Sequence, residues 1–151
     1  MPESGETQPI CGMRLGGRRV DFMPDDEEVL GFTNRWYKGA METAMSHALT
    51  HEITIQVVAP VFFLATKLEA YKGRGDNDVL GSRDIEDILH LVDGRAELIS
   101  ESQAAEQSIQ AYIAEEISRL LEDDSFEYAV ASQARGNTDR ESLICRSLDL
   151  I

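Results

Sequence analysis

The chain has 151 residues, of which 42% are hydrophobic, so it is long enough to bury a core within one domain. Its 28 acidic residues outnumber its 14 lysines and arginines, and a formal net charge of −14 argues against a DNA partner. The longest apolar run, residues 53–65, is too short to cross a bilayer, and only two cysteines are present. We therefore expect a cytoplasmic protein without a membrane segment.

Short strands are predicted in the first part of the chain. Residues 11–15 and 18–23 flank Gly16–Gly17, a pair that suits the positive φ angles of a two-residue hairpin turn. Residues 53–58 are rich in β-branched side chains, which predicts a strand with residues 45–50 as its partner. We expect these segments to form a small antiparallel sheet.

Two short helices are predicted between these strands. The acidic run Asp25–Glu28 follows Pro24 and suits the positive end of a helix dipole. Thr33 or Asn34 can cap a second helix over residues 36–45. We expect the aromatic residues of this second helix to lie in the core.

The hydrophobic period changes from two to about 3.6 at Pro60. Proline suits the first position of a helix, which we expect to run to about Lys72. Ser82 can cap the next helix, and Gly94 ends it. Three further helices are expected at residues 103–122, 124–134 and 138–150.

These elements predict an α+β fold, in which a small antiparallel sheet packs on helices and is followed by a C-terminal helical bundle. Residues 1–59 form the sheet region and residues 60–151 the helical region of one compact domain. In the helix over residues 103–122, the apolar spacing turns Glu115 and Glu116 toward solvent.

Asp21 is the first candidate site residue because it lies on a strand among apolar neighbours. A carboxylate in such a place needs a metal, a cation or several hydrogen-bond donors if it is buried. The alternative is a carboxylate near the strand end that pairs with Arg19 or faces water. The residues alone leave both possibilities open.

Asp84, Asp87 and Lys67 form a second group of candidates. The two acids lie about one turn apart beside the apolar face of their helix, where a cation must neutralise them. Lys67 lies among apolar residues of the preceding helix, so we expect it to be half buried and to extend toward water, a phosphate or these acids. The alternative is that Asp84 serves only the helix N-terminus and that Asp87 forms a structural ion pair.

Three longer segments carry a family resemblance across residues 10–100. They are ICGMRLGGRRVDFMPDDEEVLGFTNRWYKGA, APVFFLATKLEAYKGRG and SRDIEDILHLVDGR. Their specific elements are the VDFMP strand, the LGFTNRWY segment, the ATKLEA lysine helix and the D-x-x-D helix that ends in VDGR. Together they resemble the later part of bacterial nucleotidyltransferase-fold proteins of the AbiEii/AbiGii toxin-like family.

The resemblance implies transfer of a nucleoside monophosphate from an NTP to a protein or RNA acceptor with Mg²⁺. It implies that Asp21 is the third metal-binding carboxylate of such a site. It also implies that Lys67 is the lysine of the helical motif and that Asp84 and Asp87 are the paired acids that follow it. Lys67 and Arg74 are then the residues expected to contact the nucleotide.

The sequence before Asp21 contains neither the Gly-Ser turn nor the D-x-D pair of that family. We therefore expect a partial member of the family, whose metal site is completed by a missing segment or a partner. The alternative is a non-catalytic protein-interaction module or a pseudo-enzyme that keeps the helical half of the fold. An unpaired hairpin edge also predicts a homo-oligomer or a separate protein partner.

Overall fold

The computed structural model describes residues 12–31, 33–73 and 78–151, and within these ranges it contains four strands and eight helices. The strands are β1 (Gly12–Leu15), β2 (Arg18–Asp21), β3 (Met45–Ala48) and β4 (Thr54–Val57). The helices are α1 (Glu27–Leu30), α2 (Tyr37–Glu42), α3 (Pro60–Gly73), α4 (Arg83–Gly94), α5 (Leu98–Ala104), α6 (Gln107–Leu121), α7 (Asp124–Ala134) and α8 (Thr138–Leu150). The predicted α+β class is confirmed, with the longer helices C-terminal to the strands.

The described strands form two separate antiparallel hairpins. In the first, Gly12 pairs with Asp21, and Gly16 and Gly17 have φ angles of 55° and 79°, as the glycine pair predicts. In the second, Met45 pairs with Val57. The expected strand partners are therefore correct, but the two ladders do not join into one sheet. Turn residues specify a local strand pair, whereas nothing in the sequence of a short strand specifies a second neighbour.

Helix α3 lies at the centre of the core because it packs against α2, α4, α5 and α6. It begins at Pro60, as the change of hydrophobic period predicts. Helix α4 begins after Ser82, whose hydroxyl accepts a hydrogen bond from the Ile85 amide, so the predicted cap is confirmed. The core side chains with the least exposure come from α3 to α8: Leu64, Ala65, Leu68, Ile85, Ile88, Leu98, Ile109, Ile113, Phe126, Ile144 and Leu148.

The helix expected over residues 103–122 is α6, which begins only at Gln107, and residues 103 and 104 are the end of a separate helix, α5, that was not expected. Helix α5 ends at Ala104, and Ala105 adopts an extended conformation with ψ of 169° before α6 begins. Leu98, the first residue of α5, is fully buried. The sequence gives no glycine or proline at this point, which is why the hydrophobic period alone misses the break.

In the described part of the chain, every helix is too short or too polar to cross a membrane. The predicted hairpin includes Cys11, which lies outside the described residues, as do residues 74–77 between α3 and α4.

Candidate functional site

Lys67, Asp84 and Asp87 meet where α3 packs against α4. The Lys67 Nζ atom lies 3.3 Å from Asp84 Oδ1 and 2.6 Å from Asp87 Oδ2. The two acids are adjacent because three residues make almost one turn of a helix. The structure therefore brings together three of the residues proposed from sequence, and we call them the Lys67 cluster.

Burial divides the roles within the Lys67 cluster. Only 4% of the Asp84 side chain is exposed, compared with 26% for Lys67 and 42% for Asp87. Asp84 thus holds the ammonium from the core side, where an unpaired carboxylate would be costly. Asp87 is the member that a molecule arriving from solvent reaches first.

The electrostatic environment keeps Lys67 charged. Burial alone would lower the pKa of this lysine, but hydrogen bonds and charge interactions with Asp87 and Asp84 outweigh burial and raise the pKa. The Nζ atom also lies 5.5 Å from the centre of the Phe63 ring, a geometry that favours a cation. Lys67 is therefore a charged hydrogen-bond donor at neutral pH and not a proton acceptor.

Asp21 lies on the first hairpin, at the end of β2, with 40% of its side chain exposed. Its Oδ1 atom accepts a hydrogen bond from Arg19 Nε at 2.8 Å, as one of the alternatives from sequence expected. Among the residues that the structure describes, no three His, Cys, Asp or Glu side chains are grouped so that they could hold a metal ion. The described residues alone do not supply a complete Mg²⁺ site, and Asp21 as a metal ligand stays a prediction. Arg74 lies outside the described residues.

Helix α2 and the residues before it are held against α3 by contacts that sequence reasoning missed. The buried Asn34 donates a hydrogen bond from Nδ2 to the carbonyl oxygen of Thr66 at 2.8 Å. Thr66 is the residue that precedes Lys67 in the chain. Trp36 is buried against Tyr112, with 5.0 Å between the ring centres. The buried position of Trp36 agrees with the prediction that it belongs to the core. The NRWY segment was the available signal, but its pairing with α3 and α6 could not be deduced from spacing.

A second ion cluster joins α3 to α6 and corrects one expectation. Glu116 was expected to face solvent, but only 9% of its side chain is exposed. Its Oε1 atom accepts from both Lys72 and Arg119, each at 2.7 Å. Two cations therefore compensate the burial of one carboxylate, a contact that depends on the packing of the helices.

No family model, curated protein or solved structure matches this chain.

Proposed function

We propose that this chain is a nucleotidyltransferase-like protein of the AbiEii/AbiGii toxin-like class, in which the Lys67 cluster takes part in binding an NTP. The observation that supports the proposal is that Lys67, Asp84 and Asp87, which the resemblance implies as a catalytic lysine and paired acids, lie within ion-pair distance. Transfer of a nucleoside monophosphate to a protein or RNA acceptor would then require a further segment or a partner.

We infer a separate task for each residue of the Lys67 cluster. A lysine ammonium has three N–H donors, and the two carboxylates engage two of them. The third donor is left for an oxygen of the NTP phosphates. Asp84 fixes the ammonium from the core side, and Asp87 orients it while remaining accessible to solvent.

A divalent ion would neutralise the phosphates, but the described residues do not form its site. The Lys67 cluster carries two negative charges and one positive charge, so it does not attract a triphosphate by charge alone. We therefore assign it positioning of the NTP and assign the metal ligands, with Asp21 as the contribution of this chain, to the completed protein.

Calorimetric titration of the full chain with each of the four NTPs and Mg²⁺ tests this proposal. We expect at least one NTP to bind, and we expect Lys67→Gln and Asp87→Asn to weaken that binding about tenfold or more. Lys72→Gln is the matched control because Lys72 also lies on α3 and also pairs with a buried acid. Equal affinity in all variants would refute the assignment of the NTP to the Lys67 cluster.

One observation favours the alternative, a non-catalytic protein-interaction module. Large exposed hydrophobic side chains are concentrated before Pro60: Met13, Leu15, Phe22, Met23, Val29, Met41, Met45, Leu49, Ile53, Ile55 and Val57. Exposed apolar surface of this extent is typical of contact with another protein. If the wild-type chain binds none of the four NTPs, the alternative replaces the nucleotide proposal.

A further inference from the structure

The first hairpin carries positive charge on an acidic protein. Residues 12–21, which we call the basic hairpin, contain three arginines and one aspartate in a chain with a formal net charge of −14. Arg14 lies directly opposite Arg19 in the ladder. Asp21 lies on the same face and pairs with Arg19, so Arg14 and Arg18 account for the excess positive charge of the basic hairpin.

The other face of the basic hairpin carries three apolar side chains and one arginine. Met13 pairs with Val20, and Leu15 pairs with Arg18, so these four side chains share a face. Met13 and Leu15 are each 61% exposed, which is unusual for large apolar residues on one small surface. The basic hairpin thus offers apolar contact area bordered by guanidinium groups.

A surface of opposite charge lies where α6 meets α7. It consists of two exposed apolar side chains and three exposed acids, and we call it the acidic corner: Leu121, Glu122, Asp124, Glu127 and Tyr128. Asp124, Glu127 and Tyr128 share one side of α7 because they are three and four residues apart. The opposite side of α7 is buried through Phe126 and Val130. Tyr128 is 69% exposed and is the largest side chain of the acidic corner.

The negative potential extends beyond the acidic corner onto α8. Burial raises the pKa of the Cys145 thiol, and the charges of Glu141, Asp149 and Glu127 raise it further. The nearest base in the sequence, Arg119, is already paired with Glu115 and Glu116. The acidic corner is therefore not neutralised by the arginine of the preceding turn.

We propose that the basic hairpin of one copy of this chain binds the acidic corner of a second copy. Both surfaces combine apolar side chains with charges, and the charges are of opposite sign. Every copy carries both surfaces, so two copies can exchange the contact reciprocally and close a symmetric dimer. The contact uses none of the residues of the Lys67 cluster, and neither charge-reversed variant changes Asp21.

Salt allows the local attraction to act in spite of the net charge. At about 0.1 M salt the Debye length is about 10 Å, so repulsion between distant acids of the two copies is largely screened. Arginines in contact with carboxylates are screened less. We therefore expect a dimer at about 0.1 M salt and a weaker dimer at about 0.5 M salt.

Sedimentation velocity of the full chain at tens of micromolar, combined with charge reversal, tests the contact. Arg14→Glu with Arg18→Glu reverses the hairpin, and Glu122→Arg with Glu127→Arg reverses the acidic corner. Each double variant should raise the dimer dissociation constant by about tenfold or more. Lys38→Glu with Arg83→Glu makes the same change of net charge as the hairpin variant at exposed sites outside both surfaces, and should retain the dimer.

The decisive experiment mixes the variant with the charge-reversed hairpin and the variant with the charge-reversed acidic corner. Each variant alone meets like charge at both contacts, whereas the mixed pair restores opposite charges at both. A heterodimer that forms only in the mixture supports the proposal, provided that circular dichroism shows both variants folded. A wild-type monomer at tens of micromolar, dimers insensitive to charge reversal, or folded variants that stay monomeric in the mixture would each overturn it.

Discussion

At the scale of single residues, Lys67 matters because it compensates two carboxylates at once. Asp84 is almost fully buried, and breaking a buried ion pair by removing one partner leaves an uncompensated charge. The contacts of Lys67 with the two acids stabilise the fold even without a ligand, so effects of a substitution on stability and on binding have to be measured separately. Substitutions that separate these effects are therefore the informative ones.

Lys67→Met should destabilise the protein by about 2 kcal/mol, because both acids lose their shared cation. Adding Asp84→Asn to this variant should recover part of the loss, since the buried charge is then removed as well. Urea unfolding at neutral pH measures both effects. No recovery in the double variant would show that the cost lies in packing and not in charge.

Lys72→Met serves as the control for this prediction. Glu116 keeps its contact with Arg119 when Lys72 is replaced, so the buried carboxylate remains paired. Lys72 is also about half exposed, which weakens its ion pair. We expect Lys72→Met to lower the free energy of unfolding by less than about 1 kcal/mol in the same urea measurement.

Asp93 makes the free energy of unfolding depend on pH in the acidic range. Hydrogen bonds from Arg140 lower the pKa of Asp93, burial opposes this, and a hydrogen bond from Gln133 lowers it again. A lowered pKa in the folded state means that the stabilisation is present above the ordinary value of 3.8 and is lost as the pH falls through the folded-state pKa.

Replacing Asp93 with asparagine should therefore lower stability at neutral pH and reduce the acid dependence. We expect the urea midpoint of Asp93→Asn to change less than that of the wild type between about pH 5 and about pH 3. Parallel pH profiles in the two proteins would contradict the assignment of this effect to Asp93.

At the scale of elements, helix starts were easier to predict than helix interruptions. Pro60 and Ser82 mark the starts of α3 and α4 through local chemistry that any reader of the sequence can see. The break at Ala105 has no such marker, because no glycine or proline is present there. Local rules therefore predict the helix ends that carry capping residues, whereas tertiary packing decides where the other helix ends lie.

The break between α5 and α6 predicts that proline is tolerated at one position. Gln107 is the first residue of α6, so its N–H has no acceptor within the helix. Glu106, with φ of −59° and ψ of 141°, already has the conformation required before a proline. Gln107→Pro should change the unfolding free energy by less than about 1 kcal/mol.

Ala111→Pro is the contrasting variant, because Ala111 lies inside α6. Ala111→Pro should lower the free energy of unfolding by about 3 kcal/mol or more, since proline removes a helical hydrogen bond there. If helix 103–122 were continuous, both proline variants would be equally damaging. Thermal unfolding of the two variants distinguishes these arrangements.

At the scale of the whole molecule, sequence predicted the α+β class and the meeting of Lys67 with Asp84 and Asp87. That meeting was predictable because the residues lie on consecutive helices, and consecutive elements usually lie side by side. Whether a strand joins a second ladder depends on contacts between distant segments. The two separate hairpins and the burial of Glu116 were therefore not predictable from spacing.

An NMR titration shows where on this chain an NTP binds, and it therefore tests the assignment of the NTP to the Lys67 cluster. The measurement follows the backbone amide resonances of the full chain while an NTP and Mg²⁺ are added. We predict that the shifted amides concentrate on α3 around Lys67 and on α4 around Asp84 and Asp87, and that Asp87→Asn abolishes most of these shifts. Saturating shifts confined to other parts of the chain, or no shifts with any of the four NTPs, would refute NTP binding at the Lys67 cluster.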